Sequence, residues 1–235
     1  MSDRPAGLSP AGFWKRYVAY SLDVSLLGIL LLPLLWLFGK GALHQLSGQF
    51  QHLQLQLQQL LEQASNDDAQ DPLAQATQLA SDPRLAANLQ GLADSMNVLA
   101  LVSVAVWVLP ASVYFVVLEA SAWQATLGKR LIGIKVTDSQ GHRIGTGRAM
   151  ARFFAASLSW LTMNLGHALA AWTPERRALH DYIAGSRVEN ADPSRPKMPS
   201  WGWLIVAAHA AIFLLSIIAI FAVAFQAIQS MTQGI

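Results

Sequence analysis

The stretch FWKRYVAYSLDVSLLGILLLPLLWLF, Phe13 to Phe38, carries Lys15, Arg16 and Asp23 in an otherwise uncharged run of 26 residues. At about 1.5 Å per residue the run makes a helix of about 39 Å, enough to cross a hydrocarbon core of about 30 Å with some tilt. It reads as a membrane-spanning helix. A cleaved signal peptide is the competing reading, but its apolar part is about 7 to 15 residues long and ends at a small-residue cleavage site. No A-x-A follows here, so the segment reads as an uncleaved anchor. Arg16 and Asp23 lie two turns apart, within about 20° of one helix face. Arg16 can extend its aliphatic stem towards the headgroups, whereas Asp23 sits deeper, at a cost of about 2.5 to 3.5 kcal/mol on insertion scales. Such a carboxylate faces a protein interior or an aqueous cavity.

Composition agrees. The 235 residues are 53% hydrophobic and 13% charged, where a soluble domain carries about 25% charged residues. The net charge of +2 gives a pI of 9.1. Its basic residues cluster in loops, so membrane topology explains them better than nucleic-acid binding does. With no cysteine there is no disulfide, thiol nucleophile, palmitoyl anchor or thiolate metal site.

Outward from the first span, residues 1–12 form a cytoplasmic lead-in loosened by Pro5, Gly7, Pro10 and Gly12, and Arg4, Lys15 and Arg16 hold it inside. The span is residues 13–38, with Pro33 as an expected kink. Residues 39–95 hold Lys40 and Arg84 against Glu62, Asp67, Asp68, Asp71, Asp82 and Asp94, which places them outside. Leu43, Leu46, Phe50, Leu53, Leu57, Leu60 and Ala64 follow a 3,4 spacing among glutamines, the pattern of an amphipathic helix. Asp71-Pro72 and Asp82-Pro83 each offer an N-cap followed by proline at the first helical position, and Leu85, Leu89, Leu92 and Met96 continue a helical face. The expectation is an extracytoplasmic antiparallel helical hairpin, either a docking or oligomerisation stalk or a self-packed insertion.

Residues 96–118 make the second span, with Pro110 as a further kink, and Glu119 closes it. The basic loop 119–148 is cytoplasmic, and within it LIGIKVTDSQGHRIG reads as a β-hairpin about a turn from Asp138 to Gly141. Residues 149–172 are apolar but interrupted by Thr162, Asn164, Gly166 and His167. The basic load behind them favours a re-entrant or interfacial hairpin over a full crossing. Residues 173–200 return to the cytoplasm, 203–228 make the last span, and the C-terminus falls outside. The LIGIKV strand is expected near IAGSRV.

Three blocks carry a resemblance: AGFWKRYVAYSLDVSLL from Ala11, ATLGKRLIGIKVTDSQG from Ala125 and RRALHDYIAGSRV from Arg176. In their order and spacing relative to the spans the chain resembles the RDD family of bacterial membrane proteins. The resemblance implies motif positions at Arg16, Asp23 and Asp181, supported by Gly128, Lys129, Arg130, Gly133, His180 and Gly185. Ser186 stands where the family usually has threonine, and the 39–95 hairpin and last span look like additions. The implied architecture is an all-α integral membrane protein of the bacterial cytoplasmic membrane, a multi-pass helical bundle with a small cytoplasmic β-hairpin and an extracytoplasmic helical hairpin.

The family largely lacks an assigned biochemical role; cation or proton exchange is suggested for some members. An intramembrane carboxylate that alternates between protonation states suits proton coupling. The same residue also suits a structural clamp, with Asp23 satisfying Arg16 or Arg130. Two functions follow: membrane transport with Asp23 as the coupling site and Arg16 as its modulator, or a non-catalytic scaffold or assembly factor binding a partner through the 39–95 hairpin. Expected partners are the lipid bilayer and either a second copy or another membrane protein, with no nucleic acid. His180 and Asp181 are adjacent and do not aim at one metal, and His44, His52, His142, His167 and His209 are scattered. TLGKRL is not a phosphate loop, because Trp123 occupies the first glycine position and Arg130 the Ser/Thr position. No G-x-S-x-G or H-E-x-x-H occurs, so neither enzyme, metal nor cofactor is expected.

Overall fold

Long apolar runs with few breakers make long helices, and each turn chemistry that interrupts them marks a boundary. The computed structural model describes residues 9–66, 77, 81–162 and 164–233. In chain order the elements are α1 (Phe13–Asn66), α2 (Pro83–Ala120), α3 (Leu127–Ile132), β1 (Ile134–Asp138), α4 (Thr146–Leu161), α5 (Leu165–Trp172), α6 (Leu179–Ile183), β2 (Ser186–Asn190) and α7 (Ser200–Gln233). Helices α1, α2 and α7 each hold a stretch long and apolar enough to cross a membrane, with mean hydropathies of 2.1, 2.3 and 2.7. The protein is thus a helical membrane protein with a small antiparallel sheet. Pro33 and Pro110 lie inside α1 and α2, which run on through them.

The chain divides into two compact units, one of Leu27–Ala111 and one made of the residues before and after it. Within Leu27–Ala111, α1 and α2 run antiparallel. Gly28 faces Trp107 and Gly39 faces Leu99 across the helix pair, and a Cβ there would stand 3.9 and 3.5 Å from them, at ordinary contact distance. Asn88 donates to Gln56, and Ser95 Oγ donates to Gln49 Oε1 at 3.4 Å. Asp82 accepts the Arg84 N–H at 2.7 Å, with Pro83 at the first helical position. Asp71-Pro72 and most of the expected hairpin turn lie outside the described residues.

The face that α1 turns inward differs from the expected stripe. Ala42 is buried and Leu46, Gln49, Leu53 and Gln56 are half-buried, a 3,4 pattern one residue ahead of the predicted one. Only Leu46 and Leu53 belong to both. Leu43, Phe50 and Leu57 remain 41%, 54% and 39% exposed. The cross-helix bonds of Gln49 and Gln56 account for the phase, since they need these residues at the interface.

In the second unit β1 pairs antiparallel with β2, in register Ile134↔Asn190, Val136↔Val188 and Asp138↔Ser186. The expected proximity of LIGIKV and IAGSRV is therefore direct pairing. The hairpin drawn between LIGIKV and the residues after Gly141 is corrected. The turn is present, but among the described residues the one backbone–backbone bond those residues make to β1 runs from the Asp138 N–H to the His142 carbonyl at 2.9 Å. The outer edge of β1 is otherwise taken by Gln124, whose carbonyl accepts the Val136 N–H at 2.6 Å. Ser9 to Ala11 line the far edge of β2, with the Ala11 N–H on the Val188 carbonyl at 2.9 Å and the Asn190 N–H on that of Ser9 at 2.8 Å.

Val18, Ala19, Val116, Ile132, Ile134, Val136, Ile144 and Val188 close into one core beneath this sheet. The stretch 149–172 is split between α4 and α5, with Asn164 left-handed at φ 64° between them. Because β1 and β2 pair, the segment between them starts and finishes at the same sheet.

Candidate functional site

Asp23 and Arg16, expected to share a stripe, find different partners. Asp23 is fully buried. Its carboxylate accepts from Thr126 Oγ1 at 2.5 Å, Tyr114 Oη at 2.6 Å and the Gly128 N–H at 2.7 Å. Thr126 is itself the N-cap of α3, accepting the Lys129 N–H. Asp23 thus completes the cap of the helix written TLGKRL, and the aligned peptide dipoles favour its negative charge there. Gly128 is required by close approach: a Cβ there would stand 2.2 Å from the Ala19 carbonyl oxygen and 2.9 Å from Asp23. Gly133 ends α3 at φ 73°, its N–H returning to the carbonyls of Lys129 and Arg130.

Arg16 reaches a second carboxylate. Its Nη1 donates to Asp181 Oδ2 at 2.5 Å, Nη2 to the Arg176 carbonyl, and Nε to the Ala11 carbonyl at 3.2 Å. Asp181, also fully buried, takes Arg152 Nε at 3.0 Å on Oδ1 and the Ala178 N–H at 3.0 Å on Oδ2. Arg152 continues the chain of charges, its Nη1 placed 2.7 Å from both oxygens of Glu119, which also accepts from Lys129. One buried network therefore runs Arg16, Asp181, Arg152, Glu119, Lys129, joining α1, α6, α4, α2 and α3. Each carboxylate faces two cations, the arrangement in which charge burial is tolerated.

His180 completes this cluster. Arg152 Nη2 lies 3.2 Å from His180 Nε2. A guanidinium only donates, so Nε2 accepts and the ring proton resides on Nδ1, which is buried without a hydrogen-bond partner among the described residues. Burial holds His180 down at about 3; Asp181 pulls it upward and Arg152 pushes it down again. Burial alone would raise the Asp181 carboxyl, but Arg16 and Arg152 outweigh it and hold the group well below the usual carboxylate range. The His167 ring packs 4.9 Å from that of His180.

Of the sequence-predicted residues, Arg16, Asp181, His180 and Lys129 meet in this network, and Asp23 and Gly128 form the adjoining cap. Arg130 does neither. Its guanidinium lies over the Trp123 ring, 4.0 Å from the centroid, so the clamp expected between Asp23 and Arg16 or Arg130 is replaced by the bonds above. Gly185 sits at φ 60°, linking α6 to β2. Sequence reasoning missed Arg152, Tyr114 and Thr126 and gave Glu119 only a boundary role. Arg152 did leave a signal, as a cation inside the apolar run from Ala149. No group of three or more metal-ligating side chains occurs among the described residues.

These features define a class: helical membrane proteins in which a buried ion network joins two long helices to three shorter ones beside a small sheet. A family model described as the RDD family matches residues 10–185, and the chain belongs to that family. The uncharacterized protein YxaI of Bacillus subtilis (strain 168) is 26% identical over 179 residues, which cover 76% of this chain and 96% of that protein. No solved structure matches this chain.

Proposed function

We propose that the chain is a non-catalytic membrane scaffold of the bacterial cytoplasmic membrane, held rigid by the Arg16–Asp181–Arg152–Glu119 network, which docks a partner helix on α1. The observation that carries this reading is the stripe of Leu43, Phe50 and Leu57, one heptad apart and exposed. The spanning stretch Phe13–Gln59 is 47 residues long, about 70 Å of helix against a hydrocarbon core of about 30 Å. Its later part therefore extends into water on the positive-inside reading. An apolar stripe of this spacing in water is what a second helix covers. The partner is a second copy or another membrane protein. A photo-crosslinking residue at Phe50 in native membranes is expected to give one discrete protein adduct, and the same residue at the inward-facing Gln49 none. Loss of that adduct in Phe50→Asp/Leu57→Asp, with the melting temperature unchanged, supports docking; no protein adduct at Phe50 removes it.

Transport is the second reading, drawn from the half-buried His167 ring packed on the buried His180 ring, which lies beside Asp181. Asp23 and Asp181 would be its coupling carboxylates, yet each already holds several donors that any ion or proton transfer must displace. Proton-coupled cation flux in vesicles of the purified protein, abolished in a folded Asp23→Asn, would replace the scaffold reading.

A further inference from the structure

We propose that the groove between α1 and α3 is a binding site for one anionic phospholipid, its phosphate held at Arg130 and an acyl chain laid along the leucines. The groove measures 590 Å³ and is lined by Leu22, Leu26, Leu127, Gly128, Arg130 and Leu131. Four leucines supply apolar walls. The floor is backbone, because Gly128 packs so closely on Ala19 that no side chain fits there. No carboxylate lines it, and Arg130 has no ion pair among the described residues. The guanidinium is not free to wander, since it rests on the Trp123 ring. A guanidinium without an ion pair among the described residues thus lines an apolar trough.

The level of the groove fits a lipid. The Leu127 N–H donates to Tyr114 Oη at 3.1 Å. Tyr114 is six residues before the end of α2 at Ala120, about 9 Å along the axis. The groove therefore lies where apolar helix gives way to loop, with Trp123 half exposed beside it. Headgroup phosphates meet acyl chains at this boundary, and tryptophan settles there. Leu131, 65% exposed, extends the apolar wall outward. A net negative headgroup complements Arg130, a zwitterionic one carries its own cation as a competitor, and free phosphate leaves the leucines unused.

The test is native mass spectrometry of the full chain in detergent, titrated separately with phosphatidylglycerol, phosphatidylcholine and inorganic phosphate. Wild type is expected to retain phosphatidylglycerol at least about tenfold better than phosphatidylcholine, matching one charge-assisted pair. Arg130→Gln loses that preference, Arg130→Lys regains part of it, and Leu26→Trp, which fills the trough, loses phosphatidylglycerol with Arg130 intact. Arg130 is exposed and Leu26 half-buried, so these variants are compared at equal melting temperature. Equal retention of the two lipids overturns the proposal. So does phosphatidylglycerol retention unaltered in both Arg130→Gln and Leu26→Trp, or displacement of the lipid by inorganic phosphate, which would reduce the site to a lone anion contact.

Discussion

Gly128 shows how a single residue ties the motif blocks together. Gly128→Ala puts a methyl group into the Ala19 carbonyl and the Asp23 carboxyl, and neither backbone nor fully buried side chain can give way cheaply. Unfolding measurements in detergent should show a loss of about 1 to 3 kcal/mol; an unchanged melting temperature would mean that α3 does not sit against α1. His180 makes a pH prediction. A free histidine titrates near 6.5 and His180 in the fold at about 3. Between these values the unfolded chain binds a proton that the folded one does not, so stability falls as pH drops, by up to about 1.4 kcal/mol per unit. Asp181 adds its loss only below about pH 4, where its carboxylate protonates in the unfolded chain while the folded one, held down by Arg16 and Arg152, does not. Wild type should therefore lose more stability than His180→Gln between about pH 6.5 and 4.5; equal losses would put the His180 ring elsewhere. Asp23 and Arg16 were visible in sequence because a charge inside an apolar run stands out. Their partners were not, because Asp181 is 165 residues from Arg16 and Thr126 is 103 from Asp23, and no local spacing encodes such pairs.

At the element scale, α3 is a six-residue helix that survives because its N-terminus is capped twice, by Thr126 and by Asp23. Thr126→Val keeps the shape and removes both the cap and a donor to Asp23. It should cost about 1 to 2 kcal/mol in thermal unfolding; no loss would show that Asp23 alone holds the helix end. The long helices were legible from their apolar runs, and Asp82-Pro83 marked the start of α2. The inward face of α1 was not, because leucine spacing alone cannot rank Leu43 and Phe50 against Gln49 and Gln56. Two amide side chains that bond across the helix pair decide the phase. The partner of β1 was misread in part for a similar reason. Asp138 Oδ1 accepts the N–H groups of Gln140 and His142 at 2.8 and 2.9 Å, closing a side-chain turn that directs the chain away into α4. A turn signal between β-branched residues looks the same in sequence whether or not the strand returns.

For the whole molecule, pairing of β1 with β2 predicts that both strands lie on one side of the membrane and that the α4 and α5 stretch returns to the side from which it starts. The chain has no native cysteine, so single cysteines report sides cleanly. Gln140→Cys and Ser194→Cys should be labelled from the same side, and labelling from opposite sides would break the sheet. Beneath that topology lies the claim that the motif residues form one clamp between the start of the chain and its distant third block. The most direct test is a double-mutant cycle on Arg16→Gln and Asp181→Asn, read as unfolding free energy in detergent. Buried, directly bonded charges should couple by at least about 1.5 kcal/mol, each single variant being nearly as damaging as the double. Losses that simply add, within about 0.5 kcal/mol, would mean that Arg16 and Asp181 do not hold each other and would contradict the clamp.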